Sequence, residues 1–170
     1  MIRELKEPEL PALLELYKHL HATDDPLPSQ GEVERIWEAI QENPHLKYFG
    51  VFVDNVLVAS CALSVIPNLT RCCRPYGVIE NVVTHTDFRR QGNGRSVLKH
   101  ALAHAWSCGC YKVMLLTGRK DEGTYRFYES VGFDRHSKQA FLARPPKVEQ
   151  MHPKATSETA PGAASEAFDA

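Results

Sequence analysis

The segment Arg89-Arg90-Gln91-Gly92-Asn93-Gly94 constrains the fold more than any other stretch of the chain. It follows an apolar run, Val78-Ile79-Glu80-Asn81-Val82-Val83, and precedes a helical stripe of Val97, Leu98, Ala101, Leu102, Ala105 and Trp106 that Gly109 ends. A second apolar run, Tyr111 to Thr117, comes next. Strand, glycine-bearing turn, helix and strand in that order read as a crossover within one sheet, and a site built by such a unit lies at the carboxyl end of the 78–83 strand. The run holding Val113-Met114-Leu115-Leu116 is apolar throughout, which predicts a central strand.

The remaining pattern fills in an α/β chain. Leu10, Leu13, Leu14, Tyr17 and Leu20 share one helix face, and Val33, Ile36, Trp37 and Ile40 another, over about 32–42 before Asn43-Pro44. Runs over 48–53 and 56–63, joined by Asp54-Asn55, predict an antiparallel hairpin. A short helix holding Tyr125, Phe127, Tyr128 and Val131 ends at Gly132, and closing strands are expected around Phe133 and Phe141. From Pro145 to Ala170 the composition turns to Ala, Ser, Thr, Glu and Pro, which predicts a disordered tail at 145–170 behind one domain at 1–144.

Charge and cysteine usage narrow the function classes. Twenty Lys plus Arg against 21 Asp plus Glu give a net charge of −1, so nothing draws the chain as a whole to nucleic acid or an anionic membrane. The five cysteines follow a charged N-terminus without a signal-like apolar core, which points to free thiols in the cytoplasm. Cys72-Cys73 are adjacent and Cys108-Gly109-Cys110 has one spacer, unlike paired zinc ligands, so no metal is expected.

The glycine turn is an anion site on physical grounds. Gly92 and Gly94 let backbone approach a ligand, the helix start offers unpaired N–H groups, and Arg89, Arg90 and Arg95 add positive charge. That combination suits a pyrophosphate. The dinucleotide fingerprint fails, because Arg95, Ser96 and Val97 follow Gly94, and no Gly-Lys-Ser or Gly-Lys-Thr is present for a P-loop. Glu80 is a carboxylate inside an apolar strand, where desolvation would favour the neutral acid and suit a general base; a solvent-facing or arginine-paired glutamate is the alternative.

Arg89-x-x-Gly92-x-Gly94 at a strand-to-helix junction resembles motif A of the GCN5-related N-acetyltransferases, or GNAT family. Phe127-Tyr128-Glu129-Ser130-Val131-Gly132-Phe133 is similar to the Phe-Tyr-x-x-x-Gly-Phe of the same family, and the element order from Met1 to about Ala143 follows its fold. The segments Ile79-Glu80-Asn81-Val82-Val83 and Gly109-Cys110-Tyr111-Lys112-Val113 are also similar to small bacterial members and to the glucosamine-phosphate acetyltransferase branch.

The resemblance implies a mixed, mainly antiparallel sheet with a splayed strand pair, flanked by about four helices. It implies acetyl-CoA as co-substrate, held by the backbone of Val82, Val83 and Thr84 beside a β-bulge, with its pyrophosphate on Arg89, Arg90, Gln91, Gly92, Asn93, Gly94, Arg95 and Ser96. Tyr128 is the implied acid at the CoA sulfur and Glu80 the candidate base for the amine. The implied reaction is direct acetyl transfer to a small-molecule amine by a homodimer, with no nucleic acid, membrane or metal. A peptide acetyltransferase and a non-catalytic acyl-CoA-binding module are the alternatives. Asp121 stands where many relatives carry Asn on the pantetheine arm, which leaves that contact open. Arg71 and Arg74 lie in the loop where an acceptor would enter.

Overall fold

Short-range chemistry marks out most of the elements in the computed structural model, which describes residues 1–20 and 23–145. Strand β1 (Ile2–Glu4) leads through a 3-10 turn at Glu7–Glu9 into helix α1 (Leu10–Tyr17), which buries Leu13 and Leu16. Helix α2 (Gln30–Glu42) starts at Ser29, whose hydroxyl accepts from the Glu32 N–H, and buries Trp37. Strands β2 (Leu46–Val53) and β3 (Val56–Ile66) form the expected hairpin. Asp54 and Asn55 at its tip both take positive φ, the backbone that a tight right-twisted hairpin demands. Strand β4 (Tyr76–Thr84) is followed by a 3-10 turn at Thr86–Phe88, helix α3 (Asn93–Ser107), strand β5 (Val113–Leu115) and helix α4 (Glu122–Glu129).

The five strands pair in chain order, antiparallel from β1 to β4 and parallel between β4 and β5. One face of the sheet packs Cys61, Leu63 and Ile79 against Val97, Leu98, Ala101 and Ala105 of α3. The other face packs Leu57 and Val83 against Leu13, Leu16 and Trp37. Residues 1–140 form one compact unit, and residues 141–145 carry no regular structure.

Two expectations need correction. The run around Val113 is not central: β5 pairs with β4 alone and closes the described sheet at its edge. It is apolar because Val113 and Leu115 pack into the α3-side core, not because strands flank it on both sides. The closing strands around Phe133 and Phe141 do not form among the described residues. Asp134 instead accepts the His136 N–H at 2.8 Å and the Ser137 hydroxyl at 2.6 Å, which makes a turn. Arg135 folds back to bond Glu122 and Glu129 on α4, and Phe141 stays 91% exposed. The tail expected at 145–170 falls, apart from Pro145, outside the described residues.

Candidate active site

The site begins with a defect in β4. Ala62 pairs with Glu80 and Ser60 with Val83, so Asn81 and Val82 together oppose the single residue Cys61. Two residues against one is a β-bulge, and Asn81 there takes a left-handed φ of 53°. Asparagine tolerates that backbone better than most side chains. Pairing between β4 and β5 stops at Ile79 with Leu115, whereas β4 runs on to Thr84. From Glu80 to Thr84 the strand therefore has an open edge on its β5 side. Such an edge is a ready template for an extended ligand.

The open edge leads into the N-terminus of α3. Gly92 occupies the N-cap position with φ 86°, and no side chain caps the helix, so its first N–H groups stay available. Arg90 also takes positive φ, and the side chains of Arg90 and Arg95 are exposed. Other residues of the turn brace it. Arg89 donates to the carbonyls of Thr84 and His19, both at 3.1 Å; Gln91 donates to Asp87 O at 2.9 Å, and Asn93 to Phe88 O at 3.0 Å. The half-buried Ser96 takes its place one turn in, its N–H bonded to Gly92 O at 2.9 Å.

Gly94 answers a packing demand. A Cβ there would stand 2.9 Å from Thr84 Oγ1 and 3.2 Å from Phe127 Cζ, so the missing side chain lets α3 start against the end of β4 and against α4. Gly92, by contrast, has open space around it and is needed for its backbone angle.

Glu80 and Tyr128 approach from different elements. Glu80 lies opposite Ala62, which itself pairs with Tyr48, so all three face the α1–α2 side of the sheet. Its side chain is exposed, and the apolar enclosure that the strand pattern suggests is absent. Tyr128 is half-buried on α4, against Phe127 and Phe133. Burial raises the pKa of its hydroxyl; the nearby Arg119 charge opposes that shift, and the Glu80 carboxylate adds to it. The two groups thus lie within electrostatic reach of each other.

Several neighbours have framework duties. Asp121 caps α4, accepting the Thr124 N–H at 2.9 Å and the Thr124 hydroxyl at 2.8 Å, and these bonds hold its carboxyl below the usual range. Arg74 donates to the carbonyls of Gly109 and Cys110 and so ties the 67–75 loop to the end of α3; Arg74 and Arg71 are both exposed. Arg71, Cys72 and Cys73 form three successive left-handed residues. The rings of His19 and His85 lie 4.0 Å apart, tilted by 52°, and His100 and His104 pack on Phe49. Sequence reasoning missed the bulge angle at Asn81. The only signal was a polar pair, Glu80-Asn81, inside an apolar run.

Among the described residues no group of three His, Cys, Asp or Glu could hold a metal ion, and no helix is long and apolar enough to cross a membrane.

The family model for the acetyltransferase (GNAT) family matches residues 10–133. The chain belongs to the GNAT family. It is an acetyl-CoA-dependent N-acetyltransferase. A curated relative, glucosamine 6-phosphate N-acetyltransferase of Trypanosoma brucei brucei, is 33% identical over 142 residues, covering 83% of this chain and 93% of the relative. Among solved structures, a candidate acetyltransferase from Agrobacterium tumefaciens str. C58 is 43% identical with a TM-score of 0.80, over 85% of this enzyme and 99% of that chain. Glucosamine-6-phosphate N-acetyltransferase of Arabidopsis thaliana shares the fold at 25% identity and a TM-score of 0.73, over 84% and 97% of the two chains. The splayed strands and uncapped helix of this GNAT enzyme fit the co-substrate that the family uses: an open strand edge for an extended arm, ending at amides suited to a pyrophosphate.

Proposed function

We propose that the enzyme moves the acetyl group of acetyl-CoA directly to a primary amine of a small molecule, within a ternary complex. The observation that carries this reading is the open β4 edge running into the uncapped start of α3, with Glu80 and Tyr128 beside it. Acetyl-CoA supplies an activated thioester; the rest is done by the chain. The backbone of Val82, Val83 and Thr84 pairs with the pantetheine arm as an added strand would. Amides from Arg90 to Arg95, the charges of Arg90 and Arg95 and the Ser96 hydroxyl hold the pyrophosphate. Arg89, Gln91 and Asn93 hold the turn in shape from behind.

The Val82 N–H donates to the acetyl oxygen as negative charge gathers there. Glu80 takes the proton of the incoming ammonium, directly or through one water, and its exposure leaves room for that water. Tyr128, kept protonated by burial, donates its hydroxyl hydrogen to the departing sulfur. Cysteine chemistry has no part. Cys61 is buried and its thiol is pushed up to about 12, so it carries almost no thiolate near neutral pH. Cys108 closes the far end of the 15-residue α3, about 20 Å from the turn at its start.

The test is acetyl transfer by purified protein to a panel of glucosamine 6-phosphate, glucosamine, an aminoglycoside and lysine-containing peptides. Products are read by mass spectrometry, because the exposed Cys72, Cys73 and Cys108 would disturb a thiol reagent. Turnover on a small amine exceeding that on every peptide is the expected result. Preference for a peptide would transfer the acceptor to proteins, and binding of acetyl-CoA without transfer to any amine would leave a non-catalytic binder.

A further inference from the structure

Three polar side chains meet beneath the β4 bulge without a part in the chemistry above: Tyr17 at the last turn of α1, Tyr48 on β2 and Asn81 itself. Tyr17 and Tyr48 both pack onto the cluster of Leu13, Leu16, Trp37 and Val83. The Tyr17 hydroxyl is fully enclosed and lacks a well-formed hydrogen bond, the Asn81 amide and the Tyr48 hydroxyl reaching it only loosely. It nevertheless lies close enough to the Asn81 amide and the Tyr48 hydroxyl for the three groups to influence one another. Ser60, paired with Val83 across the same bulge, carries a second enclosed hydroxyl without a partner. Buried polar atoms left unpaired are rare in folded proteins, and each needs a reason.

Phenylalanine at position 17 would fill the same apolar site without stranding an oxygen, so packing does not account for the hydroxyl. Acceptor binding does not account for it either, since the oxygen is sealed from solvent. What remains within reach is Asn81, whose left-handed backbone sets the direction of the following N–H. We propose that Tyr17, together with Tyr48, is a positioning residue: it anchors the Asn81 side chain and thereby holds the bulge in the shape that presents the Val82 N–H to the acetyl oxygen. This rests on the role of Val82 proposed above. The Tyr17–Asn81 contact closes into a full hydrogen bond when charge develops on that oxygen, as loosely made bonds in resting active sites often do.

Tyr17→Phe, Asn81→Gly and the double variant test the proposal on the amine that the unmodified enzyme uses best. Asn81→Gly keeps the left-handed backbone accessible while removing the amide. Each single variant is expected to lose kcat by about tenfold or more, part of the 10²–10³ that a whole oxyanion donor is worth. KM for acetyl-CoA stays within about twofold, a split that loss of folding would not produce. The double variant falls no further than the weaker single one, because both changes break one device.

In Tyr17→Phe the backbone amide resonances of Asn81 and Val82 shift while those of Asp54 and Asn55 stay in place. Unchanged kcat with a higher Tm would mean that the hydroxyl is only a misfit in the core, and would overturn the proposal. Multiplicative losses in the double variant, or unmoved Asn81 and Val82 resonances, would also overturn it. An unmodified enzyme that acetylates no amine in the panel would overturn the proposed function itself, and the positioning role with it.

Discussion

In the proposed mechanism Tyr128 concentrates the acid step into one hydroxyl whose surroundings can be read by pH. Burial holds its pKa above the ordinary tyrosine value of about 10. The protonated, hydrogen-donating form is therefore fully present at and below neutral pH, and is lost only as pH rises through that elevated value. We expect kcat to stay level into the mildly alkaline range and to fall beyond about pH 10. Tyr128→Phe should lower kcat by about 10²-fold or more, erase that alkaline limb and leave acetyl-CoA binding by calorimetry nearly unchanged. A variant with full turnover would remove Tyr128 from the mechanism.

Tyr128 stood out through the likeness of its segment to the family's Phe-Tyr-x-x-x-Gly-Phe, and its part in the reaction is what that resemblance implies. The exposure of Glu80 was not legible, since a carboxylate in an apolar run looks enclosed. Arg89 teaches a similar lesson: its charge is plain in the sequence, yet its guanidinium bonds to two carbonyls from separate parts of the chain, Thr84 and His19.

Elements were most legible where periodicity or turn chemistry is local. Both early helices, the hairpin over Asp54-Asn55 and the long α3 follow from spacing and punctuation alone. Strand β5 misled because apolar side chains record what covers the faces of a strand, not how many strands lie beside it. The junction between β4 and α3 yields a prediction at this scale. Gly94→Ala places a methyl group against Thr84 Oγ1 and Phe127, and overpacking of that kind costs about 1–3 kcal/mol. Thermal unfolding should show a Tm lower by several degrees, and Thr84→Ala added to Gly94→Ala should recover part of the loss. An unchanged Tm would mean that the junction yields freely. A larger residue at position 94 disturbs this junction further.

At the scale of the whole molecule, the family match ends at residue 133 and both core clusters lie within the first 133 residues. We propose 1–144 as the catalytic domain. A chain ending at Arg144 should keep its kcat on the preferred amine and a Tm within about 2 °C of the full chain. Loss of either would assign 145–170 a part in the enzyme.

The uncapped start of α3 has a consequence for how such a protein can change over generations. Backbone amides belong to every residue type, so in the proposed mechanism the donor end depends on two geometric requirements, the left-handed turn at Gly92 and the close approach at Gly94. The exposed Arg90 and Arg95 add charge to a hold that the amides already provide, so a substitution at either weakens the grip on the pyrophosphate without abolishing it. The acceptor side, where Arg71 of the 67–75 loop is exposed, would draw on side chains outside that turn, each replaceable without touching the grip. A lineage can in this way try new amines one residue at a time and still keep its acetyl supply.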